Sequence, residues 1–278
     1  SGKQRNLSGK LDTRFTNGQD DTLAIEKRPF GTGVWFTEGS GVLLYDRYDI
    51  WLLDPEGRPA RRLTNGRKHK IRHRISQASF DPDNDGLLDP RDPLYVALFG
   101  ERTKKSGYAR LRLGTGKQPG HKLEQLLYTD AMVLYLERAR DAEVFTFTRE
   151  RADQPRNLFL SGPALESPQR ITNSCEFQKN YLWGHSQLVN FKNRQGVPLQ
   201  GMLTYPAGYK KGKKHPMIVY IYEKRSQDLH RYYGPSEKHP YNPCVFSAEG
   251  YFVFQPDIVY RPQMPGLSAV ECVVPAVE

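Results

Sequence analysis

The sequence predicts a mostly β chain, with about three blades of a partial β-propeller over residues 1–180 and the start of a mixed α/β sheet over residues 181–278. Three observations carry this prediction. Short apolar strands punctuated by turn residues fill residues 30–66, and one strand-and-turn ending recurs 108 positions further on. Past residue 187 the strands become continuously apolar and lie further apart.

The first strand set is "GVWFTE", "GVLLYDR", "DIWLLDPEG" and "ARRLTNG". Each run is bounded by Gly, Pro, Asp or Asn, the residues that turns need. "NLFLSGPALESPQRITNS" at 157–174 repeats the ending, an apolar strand, a Pro/Gly turn and a short strand closing on Arg-apolar-Thr-Asn, with Ile171 in the place of Leu63. "LYVALFG", "GYARLRL" and "EQLLYTD" supply a set in between, and "RNLSG" at 5–9 resembles the tail of an earlier one. Taking Leu7, Leu63, Leu127 and Ile171 as equivalent strand ends gives spacings of 56, 64 and 44. Irregular repeats of roughly 40–50 residues, each a four-stranded sheet, are the signature of propeller blades. A period near two and richness in Val, Phe, Tyr and Thr disfavour a helical array. Known propellers start at about four blades, so three blades are expected to belong to a larger protein.

The second part opens with a hairpin over 188–205 around Gly196, followed by the basic stretch "KKGKK" and the strand "HPMIVYIYE". After a Gly/Pro/Ser-rich segment comes "GYFVFQPDIVY". Continuous apolar strands of this kind predict burial on both faces. "GLSAVECVVPAVE" places Ala269, Cys272, Val273 and Val277 on one helical stripe, with Pro275 limiting the helix.

Composition narrows the functional classes. The net charge is +10, but 30 basic and 24 acidic residues lie in 1–186, against 11 and 7 beyond, so neither part holds a dominating basic patch. The runs "GRKHKIRHR" at 66–74 and "KKGKK" at 210–214 sit beside turn signals and read as solvated loops rather than phosphate sites. No interleaving of aromatic and basic residues marks a nucleic-acid module, so no nucleic-acid partner is expected. No apolar run approaches the roughly 20 residues of a membrane span, and "SGKQRNLSGK" has no apolar signal region. Cys175, Cys244 and Cys272 lack metal-ligand spacing and read as buried thiols, and no cofactor motif is present.

"LWGHSQLV" at 182–189 contains Gly184, His185 and Ser186 in the order that opens a hydrolase nucleophile elbow, G-x-S-x-G. The second glycine is missing, Leu188 standing there, and a hairpin follows instead of a helix. Ser186 therefore reads as a linker residue, and no G-x-S-x-G occurs anywhere in the chain. "DPDNDGLLDPRD" sets Asp81, Asp83, Asp85, Asp89 and Asp92 around Gly86 at the offsets of a calcium loop. Asp at the last position, Pro82 and Pro90, and no flanking helix favour an ordinary acidic turn.

"GVPLQGMLTYPAGY", "PMIVYIYE" and "YFVFQPDIVYR", in this order behind propeller-like strands, resemble the prolyl oligopeptidase family of serine peptidases, which includes dipeptidyl peptidases and acylaminoacyl peptidases. The resemblance covers nearly the whole chain. It implies that residues 1–180 are the C-terminal blades of the propeller and 181–278 the N-terminal portion of an α/β-hydrolase domain. It also implies hydrolysis of short peptides through a serine acyl-enzyme, with the propeller restricting access to a peptide substrate. Serine, acid and histidine come late in that domain, so they are expected in the remainder of the peptidase, on the same or another chain. The seven histidines, among them His185, His215, His230 and His239, read as loop or surface residues, and this chain alone is expected to be inactive. The family places an oxyanion-hole tyrosine at the end of the first long catalytic-domain strand, and Tyr222 matches that place. The family follows it with small residues; here Glu223, Lys224 and Arg225 follow. The flank of "YFVFQPDIVY" is expected to be the open edge where the elbow strand pairs. The competing reading is a non-catalytic propeller module that binds a peptide or protein.

Overall fold

The computed structural model describes residues 5–18, 26–81, 86–114, 120–236 and 238–278. Among them the first four strands are β1 (Val34–Trp35), β2 (Val42–Tyr45), β3 (Ile50–Leu53) and β4 (Arg61–Arg62), hydrogen-bonded in sequence order as one sheet. These are the four strands expected over 30–66. The β2–β3 turn closes on Asp46, whose Oδ1 accepts from the backbone N–H of Tyr48 (2.8 Å) and Asp49 (2.7 Å), an Asx turn. The second sheet is β5 (Ile71–Ile75), β6 (Leu94–Gly100), β7 (Ser106–Leu113) and β8 (His121–Thr129), again in sequence order and antiparallel. Leu43, Ile50, Leu63, Leu94, Val96 and Leu111 are fully buried in one core shared by the two sheets. The third sheet is β9 (Met132–Arg138), β10 (Phe145–Arg151), β11 (Gln154–Ser161) and β12 (Gln169–Arg170).

The recurrent ending is a hydrogen-bonded clasp. In the first sheet Asp49 Oδ1 accepts from the Thr64 hydroxyl (2.7 Å) and from Gly66 N–H, while Thr64 Oγ1 accepts from Ile50 N–H (3.0 Å). In the third sheet Asn157 Oδ1 accepts from the Thr172 hydroxyl (3.1 Å) and Ser174 N–H (2.8 Å), while Thr172 Oγ1 accepts from Leu158 N–H (2.8 Å). Leu63 and Ile171 then donate N–H to Ile50 (2.8 Å) and Leu158 (3.0 Å). Every member stands 108 residues from its counterpart. The other two proposed equivalents fail. Leu127 lies inside β8 opposite Tyr108, and Leu7 lies in a bend outside any strand.

The fourth sheet is β13 (Ser186–Lys192), β14 (Pro198–Thr204), β15 (Met217–Val219) and β16 (Phe252–Pro256), in the order β13-β14-β16-β15. The hairpin is as expected, with Gly196 in the left-handed region (φ 77°) at its turn. β16 pairs antiparallel with β14 and parallel with β15, so β14 alone runs against the other three. This corrects the expected edge: β16 is flanked on both sides, and the open edges belong to β13 and β15. It also corrects the expected burial of "PMIVYIY". Only three residues pair, Met217 is 41% exposed, and Ile221 and Tyr222 are exposed, because β15 has a neighbour on one side alone.

Two helices complete this part, α1 (Pro243–Ala248), capped by Asn242 Oδ1 accepting from Cys244 N–H (3.0 Å), and α2 (Pro265–Val277). α2 packs Cys272, Ala269 and Val273 on Leu199 and Ile258, as the stripe predicts, whereas Val277 is exposed. Pro275 does not end the helix. The carbonyl it leaves without an intrahelical donor, that of Glu271, accepts from Arg194 N–H at 3.0 Å. The chain forms two compact units, 1–147 with 160–169 and 148–159 with 170–278, and the division falls within β10 and β11. No helix among the described residues is long and apolar enough to cross a membrane.

Candidate functional site

Tyr222 lies three residues past the end of β15, and its side chain is 58% exposed. The backbone around it is held by β16 and the segment that follows it. Tyr220 N–H donates to Phe254 O (2.9 Å), Ile258 N–H donates to Glu223 O (3.2 Å), and the Tyr260 hydroxyl donates to Tyr222 O (3.5 Å). The large residues after Tyr222 are accommodated. Glu223 and Lys224 are exposed, and Arg225 turns inward, donating to Gln255 Oε1 (3.4 Å) and the Tyr233 hydroxyl (3.2 Å) and pairing with Asp228 (3.1 Å). Burial, reinforced by the Asp228 carboxylate, pushes the Tyr233 hydroxyl above its ordinary pKa. Chemically, this corner offers an exposed phenol on a braced backbone, a donor able to meet a developing oxyanion.

Ser186 lies in a strand and not in the expected linker. It opens β13, and its Oγ lies 3.1 Å from Thr204 Oγ1 across the hairpin. His185 stacks on Tyr205 with ring centroids 4.4 Å apart. Gly184 has a packing reason, since a Cβ there would collide with the Ser247 hydroxyl and the Tyr205 carbonyl. The cavity that Gly184, Ser186, Thr204 and Ser247 line has about 20 Å³, room for a single water.

Two histidines depart from the expected loop or surface setting. His230 is buried, and so is His73 on β5, with Nδ1 3.1 Å from the carbonyls of both Tyr48 and Ile71. Burial lowers the His73 pKa below its ordinary 6.5 although those carbonyls and Asp49 oppose the shift. The folded state thus binds its proton later than the unfolded chain, so stability is complete above about pH 6.5 and declines as pH falls through and below that value. Urea midpoints between pH 7.5 and 5 should fall, and His73→Gln should flatten the part of the slope that begins near pH 6.5.

The basic run at 66–74 is a solvated loop only in part: residues 67–70 form an exposed turn, as expected, whereas Arg72, His73 and Arg74 lie on β5 and are covered. Arg67 reaches Asp46 (2.9 Å), Arg74 donates to the carbonyls of His73 (2.7 Å) and Asp46 (3.0 Å), and Arg72 lies over Phe99. These arginines are engaged by one acid, by backbone carbonyls and by a ring. Glu101 receives Arg47 (2.7 Å) and the Tyr48 hydroxyl (3.1 Å), and these partners overcome burial to lower its pKa. Residues 210–214 are exposed, as expected. Of the thiols, Cys272 is buried, while Cys175 and Cys244 are only partly covered.

In the acidic loop Asp83 and Asp85 lie outside the described residues. Asp89 is engaged by Arg91 through three hydrogen bonds of 2.6–3.1 Å, which hold its carboxyl at about 2. Among the described residues no group of three His, Cys, Asp or Glu could hold a metal. EDTA should leave the melting temperature unchanged, and a clear drop would identify residues 81–92 as a calcium loop.

Sequence reasoning missed a hollow of about 750 Å³ lined by Arg149, Phe159, Arg170, Lys179, Tyr181 and Trp183, among others. Arg149 sits 4.3 Å over the Phe159 ring, and Trp183 stacks on Tyr232 at 5.5 Å while donating to Ala152 O at 3.3 Å. The available signal was the interleaving of Phe177, Tyr181 and Trp183 with Arg170 and Lys179 in a stretch read as blade tail and linker. Of these rings Tyr181 is exposed, while Phe159 is covered by Arg149 and Trp183 by Tyr232.

No protein-family model matches the sequence, and no curated protein matches it. Solved structures do. A protein from Bacteroides ovatus ATCC 8483 assigned as a dipeptidyl aminopeptidase IV is similar with TM-score 0.56 and 14% identity, over 83% of this chain and 34% of that one. Dipeptidyl peptidase 4 of Porphyromonas gingivalis gives TM-score 0.54 and 15% identity over 81% and 30%. The AtxE2 isopeptidase gives 0.51 and 15% over 82% and 31%. The chain thus spans about a third of the length of these structures. What is shared at such identities is the fold: this chain has the fold of the prolyl oligopeptidase family of peptidases, mostly β and matched over part of its neighbours' length.

Proposed function

We propose that this chain is the segment of a serine peptidase in which the C-terminal propeller blades, residues 1–180, pass into the first part of the α/β-hydrolase domain, residues 181–278. The peptidase cleaves short peptides through a serine acyl-enzyme, and the propeller limits access by size. The elbow serine, the acid and the histidine are contributed by the remainder of the protein. The observation that carries the reading is the fourth sheet: in the order β13-β14-β16-β15 only β14 is reversed, and the exposed phenol of Tyr222 follows the edge strand β15. An oxyanion donor belongs at such a strand end, where the backbone is braced and the side chain is open to a substrate carbonyl.

The hollow with its aromatic and basic lining supports a second reading, a propeller module that binds a peptide without cleaving it. Native mass and activity together separate the two. The protein purified from its source should exceed 31.9 kDa and hydrolyse chromogenic peptide substrates. A stable, monodisperse 31.9 kDa monomer that binds peptides without turnover would favour the binding module.

A further inference from the structure

A buried pair stands directly behind the Tyr222 loop. Asp257, the residue after β16, accepts from Ser226 twice: Oδ1 takes the backbone N–H at 2.8 Å and Oδ2 takes the hydroxyl at 2.6 Å. Both residues are buried, Ser226 at 1% and Asp257 at 7% exposure. Asp257 is itself fixed, since its N–H donates to Gln200 O at 2.8 Å. Ser226 is the first residue of the short 3-10 turn Ser226–Asp228, so this clamp closes the loop on the far side of Tyr222 from β15. Between strand and clamp, the loop carries five anchors to residues 254–260: Tyr220 to Phe254, Tyr222 to Tyr260, Glu223 to Ile258, Arg225 to Gln255 and Ser226 to Asp257.

A carboxylate buried this deeply costs free energy unless its lone pairs are taken, and here two donors from one serine take them. Bidentate use of one carboxylate by a backbone N–H and its own side chain also fixes direction, which a single bond does not. We infer that Ser226 and Asp257 are positioning residues that hold Tyr222 at the angle its hydroxyl needs, which rests on the oxyanion reading of Tyr222. Neither residue touches the reacting atoms. Their effect passes through the three residues between Tyr222 and the clamp, where a displacement of about 1 Å is enough to cost roughly 10²-fold in rate.

The test uses the full-length peptidase with a chromogenic peptide substrate, comparing Ser226→Ala, Ser226→Thr, Asp257→Asn, Tyr222→Phe and Ser226→Ala combined with Tyr222→Phe. Ser226→Ala and Asp257→Asn should lower kcat roughly 10- to 100-fold with KM within about a factor of two, and Ser226→Thr should restore most of the rate. In the Tyr222→Phe background Ser226→Ala should cost almost nothing more, because a donor already removed cannot be misplaced. Multiplicative losses in the double variant, or full activity in both folded single variants, would overturn the positioning role while leaving Tyr222 in place. Full activity of Tyr222→Phe would overturn the oxyanion reading and this inference with it. Should Ser226→Ala fail to melt cooperatively, Asp257→Asn, which keeps the shape and one acceptor, decides the matter by the same comparison.

Discussion

With Tyr222 as the proposed oxyanion donor, Tyr222→Phe in the full-length protein is expected to lower kcat on peptide substrates by about 10²–10³-fold, the loss seen when one oxyanion-hole donor is removed. KM should change little, because the hydroxyl strengthens its bond only as charge develops on the substrate oxygen. Stability should change little as well. The side chain is 58% exposed, so losing the hydroxyl leaves no buried donor unpaired. A large fall in melting temperature beside the loss of rate would mean that Tyr222 is a structural residue of the β15 edge. Steady-state kinetics with a thermal melt on the same preparation check both halves.

The largest stability effect expected outside the apolar core concerns Asp49. Asp49→Ala strands the Gly66 N–H and the Thr64 hydroxyl in a buried site and should cost about 1–3 kcal/mol. Asp49→Asn should behave quite differently. Asn157 fills the corresponding place in the third sheet, keeps both accepted bonds and donates Nδ2 to the carbonyl of Pro155 two residues earlier, at 3.0 Å. In the first sheet the corresponding carbonyl is that of Arg47, and Asp49 Oδ2 is buried without a partner among the described residues. An amide in place of that oxygen gains a donor where the carboxylate has none. Asp49→Asn is therefore expected to match or exceed the wild-type urea midpoint, and a loss equal to that of alanine would refute the equivalence of the two clasps.

The parts of the fold legible in the sequence are those whose chemistry is local. Turn residues between runs of two to four apolar positions mark β1, β2 and β3 of the first sheet, and the Arg-apolar-Thr-Asn endings of β4 and β12 could be matched because their spacing is built into one strand pair. Leu127 was misassigned because an apolar residue inside a long strand looks the same as one beyond a short strand's end. The pairing order of the fourth sheet is a non-local choice, and nothing in "YFVFQPDIVY" says that β15 and β14 take both its flanks. The strand half of the basic run looked solvated because its partners, Asp46, Glu101 and the ring of Phe99, lie some 20 to 30 positions away. Tyr222 was found through a resemblance at one strand end; the Ser226–Asp257 pair behind it spans 31 residues and carries no sequence pattern of its own.

The central proposal is that this chain is part of a serine peptidase whose nucleophile lies outside residues 1–278. Fluorophosphonate labelling of the native protein, followed by mapping of the modified peptide, tests this most directly. The predicted result is stoichiometric modification of one serine within a G-x-S-x-G sequence outside residues 1–278, with residues 1–278 expressed alone remaining unlabelled. Labelling at Ser186, or a native protein with no fluorophosphonate-reactive serine, would contradict it.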